Sequence, residues 1–89
     1  MNEELRNDDL PDLKMGEWQF VNNYTAIWIH APHSDTTMGL VRLSISETGN
    51  AIPPVWKWDG NKDKPTLTPS INIIGVWHGW LRDGKLVTA

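Results

Sequence analysis

"VWHGWLRDGKLVT", residues 76–88, is the stretch that decides the class of fold. Two alternating apolar runs flank Asp83-Gly84. An Asp-Gly pair in that setting marks a tight hairpin, because a primed turn needs positive φ and glycine supplies it. Period two then places Trp77 and Trp80 on opposite faces of the first strand.

The same pattern extends towards the N-terminus. Residues 24–30, "YTAIWIH", are rich in β-branched and aromatic side chains. Alternation puts Thr25, Ile27 and Ile29 on one face and Tyr24, Ala26, Trp28 and His30 on the other. Residues 39–46 give Val41, Leu43 and Ile45 a core face. Residues 47–50, "ETGN", read as a turn, and 70–74, "SINII", as a short strand. "VWKW", residues 55–58, follows Pro53-Pro54 and is expected at a sheet edge, where a missing N–H does least harm. No segment has convincing helical periodicity, a short N-terminal turn aside. The expectation is an all-β domain, a small sandwich or partly open barrel of roughly five to seven short antiparallel strands. Its core is Ile27, Ile29, Val41, Leu43, Ile45, Leu67, Ile71, Ile73, Leu81 and some of the tryptophans.

With 89 residues the chain is one domain, residues 13–89, preceded by an acidic stretch, 1–12, too poor in apolar residues to offset its ordering entropy and read as a mobile tail. There is no cysteine, so no disulfide supplements the small core. The net charge of −3 and the scattered basic residues argue against a nucleic-acid groove. No apolar run is long enough to span a bilayer, and no signal peptide is read, so a soluble protein of the cytoplasm is expected.

In "WKWDGNKDKPTLTPSI", residues 56–71, Asp59-Gly60 starts a loop and Pro65 fixes its exit. Residues before proline are pushed to extended backbone, so 65–70 is a stiff connector carrying Leu67 to the core between two solvent-facing threonines.

Two constellations are candidates for chemistry. His30, His33 and His78 form the first, with H-x-x-H at a strand end and the third histidine in the final hairpin. Three imidazoles with an open fourth position, filled by water or Asp35, are the pattern of catalytic zinc. The bland alternative is that each histidine bonds a backbone carbonyl or stacks on a tryptophan. The second is tryptophan excess: Trp56, Trp58, Trp77 and Trp80 are candidates for a binding surface, since aromatics mark interfaces. Trp56 and Trp58 are also candidates for stacking on a sugar. No cysteine nucleophile, G-x-S-x-G elbow or phosphate loop is present, which weighs against an enzyme.

Residues 54–86 resemble an uncharacterised family of short phage and prophage proteins, many of which carry a misleading "ammonia monooxygenase" label. The shared pattern is Trp56, Trp58, Asp59, Gly60, then Pro65, Thr66, Leu67, Pro69, Ser70, then His78, Asp83, Gly84. The resemblance implies a phage-encoded accessory protein of the host cytoplasm and a common β-scaffold. Family members with a cysteine pair before the tryptophan segment look like zinc proteins, so the resemblance implies that His30 and His33 replace those thiolates, while Trp77 stands where a further cysteine would. The function expected from all this is a non-enzymatic protein-binding module that docks on a host or phage protein or on a second copy of itself. The alternative is a zinc-binding protein, conceivably a hydrolase, using His30, His33 and His78.

Overall fold

A computed structural model describes residues 11–48 and 55–89. Most of the 1–12 tail therefore lies outside the described residues, as do Pro53-Pro54 and the end of the "ETGN" turn. Among the described residues there are eight strands: β1 (Trp18–Phe20), β2 (Ala26–His30), β3 (Leu40–Ser46), β4 (Val55–Trp58), β5 (Leu67–Thr68), β6 (Ile71–Ile73), β7 (Trp77–Arg82) and β8 (Lys85–Thr88). They form a five-stranded sheet, β1-β2-β3-β4-β5, and a three-stranded sheet, β6-β7-β8. The fold is all-β, with two sheets and no closed barrel. The helical element is one turn of 3-10 helix, Thr37–Gly39, capped by the Thr36 side chain accepting from Met38 N–H. No helix among the described residues is long and apolar enough to cross a membrane, which says nothing of a β-barrel.

One core joins the two sheets. Ile27, Ile29, Leu43, Ile45, Trp58 and Leu67 from the large sheet meet Ile71, Trp77 and Leu81 from the small one. Alternation explains the set, because each strand turns every second residue inward. Val41 and Ile73 pack against this cluster partly buried.

Three differences from expectation have physical reasons. The β3–β4 pair is parallel, with Ser44 opposite Val55 and Ile45 opposite Trp56, because β4 runs in the same direction as the last residues of β3 rather than folding back on them as a hairpin strand would. Strand β4 is interior rather than an edge, although its outer neighbour β5 is only two residues long. Tyr24 belongs to a turn rather than to β2. It adopts φ +58 and donates its N–H to the Val21 carbonyl, and its ring lies parallel to Trp58 at 6.0 Å.

Two tight turns build the small sheet. Asp83 and Gly84 have φ of +53 and +77, the primed turn expected between β7 and β8. Between β6 and β7, Val76 N–H closes a turn on Ile73 C=O at 2.8 Å with Gly75 at φ +77. Positive φ at that third turn position favours glycine.

The 59–67 loop is stiffened by its own side chains. Asp59 Oδ1 accepts from Asn61 and Thr66 N–H, and Asn61 Oδ1 accepts from Asp63 and Lys64 N–H. It is also tied to the final turn: Gly84 N–H donates to Pro65 C=O and Asp83 N–H to Thr66 Oγ1. Leu67 is buried as expected, with a cis Thr68–Pro69 peptide, but of the two threonines beside it only Thr68 is exposed: Thr66 is half-buried, its hydroxyl taken up by the final turn.

Candidate active site

The β6–β7 hairpin aligns Ile71 with Gly79 and Asn72 with His78. Carried back one residue, this register sets Ser70 beside Trp80. Since Ile71, Trp77, Gly79 and Leu81 point into the core, Ser70, Asn72, His78 and Trp80 share the outer face. On that face His78 Nε2 and Ser70 Oγ lie 3.2 Å apart, within hydrogen-bond reach. With the hydroxyl donating to Nε2, the imidazole carries its proton on Nδ1.

The elements that hold this pair are well anchored. Ser70 directly precedes β6, whose first residue Ile71 is fully buried. Its carbonyl oxygen accepts the Trp56 indole N–H at 3.2 Å. His78 lies between two core residues, Trp77 and Gly79. Trp77 fixes its own ring by donating Nε1–H to Thr88 Oγ1 at 2.9 Å. A methyl group on Gly79 would run into the Trp77 ring and the Val87 carbonyl, so the central strand needs glycine there. Ser70 is half-buried and His78 exposed. The pair therefore sits on an open sheet face. A concavity of about 560 Å³ beside Gln19, Trp28 and Arg42 contains neither residue.

The expected zinc set does not assemble. Among the described residues no group of three or more His, Cys, Asp or Glu side chains converges. Both ring nitrogens of His30 face backbone carbonyls, Leu13 O at 2.9 Å and Ser34 O at 2.7 Å. His33 is exposed in the following loop at φ +68, and His78 engages Ser70. His30 thus follows the bland alternative of bonding backbone carbonyls.

The four tryptophans considered for a binding surface also divide. Trp58 and Trp77 are core residues, 3% and 6% exposed, with indole N–H groups donated to Asn61 O and Thr88 Oγ1. Trp56 is half-buried and committed to Ser70. Trp80 is half-buried on the outer face, between the His78 ring at 6.0 Å and the Arg82 guanidinium at 4.9 Å.

Residues 7–89 match the model of a family described as BubE, bacterial ubiquitination-like system serine protease. The chain belongs to that family. No curated protein and no solved structure matches it. BubE membership corrects the functional expectation. A phage binding module without enzymatic activity, with zinc binding as the alternative, gives way to a family named for a serine protease. Ser70 was not singled out in the sequence because no G-x-S-x-G elbow surrounds it. The signal was the short apolar hairpin of residues 71–79, which brings a serine just before one strand diagonally opposite a histidine on the next.

Proposed function

We propose that this chain is a serine protease of a bacterial ubiquitination-like system, with Ser70 as nucleophile and His78 as general base. The observation that carries the reading is the 3.2 Å approach of Ser70 Oγ to His78 Nε2 in a BubE-family chain. A serine hydroxyl is a weak nucleophile until a base takes its proton, and this spacing is the one such activation requires. In the first step Ser70 Oγ bonds to the carbonyl carbon of the scissile peptide and its proton passes to Nε2. The C–N bond then breaks, His78 returns the proton to the leaving amine, and an acyl-serine remains. Water, deprotonated by His78, hydrolyses that ester and restores the hydroxyl. Asn72 lies directly across the ladder from His78, and we assign it the role of orienting the imidazole. The Trp56 indole has its one N–H on the Ser70 carbonyl and so holds the nucleophile's peptide. The open face suits an extended segment of a protein better than a small enclosed molecule.

A fluorophosphonate probe tests the reading, with the modified residue mapped by mass spectrometry. The expected result is one adduct on Ser70, absent in Ser70→Ala and strongly reduced in His78→Ala. An intact protein that takes up no probe, or takes it up at another residue, overturns the assignment.

A further inference from the structure

The outer face that carries Ser70 and His78 continues past them in an ordered way. Along β7 it presents His78, Trp80 and Arg82, and β8 adds Val87 opposite Trp80 and Lys85 opposite Arg82. Trp80 occupies the row next to Ser70, and Val87 beside it is 37% exposed. One step further, two cations face each other across the last rung of the hairpin. Both are exposed, and among the described residues neither has a carboxylate partner. Arg82 is fixed by lying over the Trp80 ring at 4.9 Å. A guanidinium held over a ring in this way still has N–H groups to offer a carboxylate. Asp83, in the turn between the two cations, has its N–H on Thr66 Oγ1.

Resting on the serine-protease reading, we propose that this face is the substrate track. Trp80 and Val87 form an apolar subsite next to the scissile bond, and Arg82 with Lys85 forms a subsite for an acidic side chain. The spacing sets the register. The Arg82–Lys85 rung is two residues beyond the Ser70–Trp80 row, about 7 Å along the strand direction. An extended peptide has the same rise, so the acidic residue falls two or three positions from the bond that is cut. The substrate class is therefore an extended protein segment with an apolar residue at the cleavage site and Asp or Glu two or three residues away. Charge complementarity and continuity with the Ser70–His78 pair select this occupant. β7 pairs with β6 over Trp77–Gly79 and with β8 over Gly79–Arg82, and the track is the outer face of this hairpin, so what it offers a peptide is side chains.

The test uses the full chain and two measurements. Fluorophosphonate labelling reports the Ser70–His78 pair alone, because the probe does not extend to the hairpin end. A positional library of internally quenched peptides reports the track. The expected result is labelling at Ser70, together with a preference of about threefold to tenfold for Asp or Glu two or three positions from the cut. The preference should weaken in high salt, and Arg82→Glu with Lys85→Glu should reverse it towards Lys or Arg. The parent's own preference is decisive should the double variant misfold. Labelling without an acidic preference, including labelling with no peptide cut, overturns the track and leaves the pair standing, as does a preference that survives charge reversal. No labelling overturns the pair and the track with it.

Discussion

The Trp56 indole donates to the carbonyl oxygen of Ser70 at 3.2 Å, so the large sheet holds the Ser70 peptide while His78, from the small sheet, meets its hydroxyl. The two sheets are thus joined at the site as well as through the core. Trp56→Phe keeps most of the ring and removes this N–H. We expect a stability loss of about 0.5–1.5 kcal/mol. Fluorophosphonate labelling of Ser70 should slow by about tenfold, the rate equivalent of roughly 1.4 kcal/mol. Labelling at the parental rate would show that the indole only packs.

Gly79→Ala is expected to destabilise the protein by about 1–3 kcal/mol, the usual cost of inserting a methylene group into a packed core. The added methyl group meets the Trp77 ring and the Val87 carbonyl. A ring can turn aside, but a ladder carbonyl cannot, so trimming Trp77 should restore little. Chemical denaturation of the single variant and of Gly79→Ala with Trp77→Phe measures this. An unchanged midpoint in the single variant would refute the close approach.

Gly84→Val addresses the turn that aligns β7 and β8. Gly84 sits at φ +77 with the Lys64 backbone close by, so a β-branched residue is opposed by backbone conformation and by space. The cost should be about 1–2 kcal/mol or more, read from the thermal or denaturant midpoint. Parental stability would mean that the primed turn does not form.

The architecture was largely legible because alternation and turn chemistry are local. Ile27, Ile29, Leu43, Ile45, Leu67, Ile71 and Leu81 are buried where period two placed them, and Asp83-Gly84 makes the expected hairpin. What escaped was non-local. The parallel β3–β4 pairing depends on the path of a connection, which strand composition does not encode. Reading H-x-x-H as a ligand pair missed that both ring nitrogens of His30 already lie against backbone carbonyls of flanking segments, Leu13 and Ser34. The Ser70–His78 pair needed the β6–β7 register, and residues 70–74 were read as a strand without their partner. Counting tryptophans as surface overlooked that four indole N–H groups, those of Trp18, Trp56, Trp58 and Trp77, have internal acceptors. Among the four tryptophans considered for binding, Trp80 is the one left with its ring on the outer face beside the pair.

Asn72 supplies the sharpest test of how the imidazole is oriented. It is exposed and lies opposite His78 in the ladder, where Cβ atoms are about 4.5–5.5 Å apart. A base that accepts from Ser70 at Nε2 must present its proton at Nδ1, and a side-chain oxygen across the strand is suited to receive it. Because the site is exposed, Asn72→Ala should change stability by no more than about 0.5 kcal/mol. If Asn72 orients the ring, the same variant should slow Ser70 labelling by about tenfold or more, and Asn72→Asp, which keeps the acceptor oxygen, should recover most of the rate. A stable Asn72→Ala protein that reacts like the parent would remove Asn72 from the machinery and leave Ser70 and His78 as a two-residue catalytic pair.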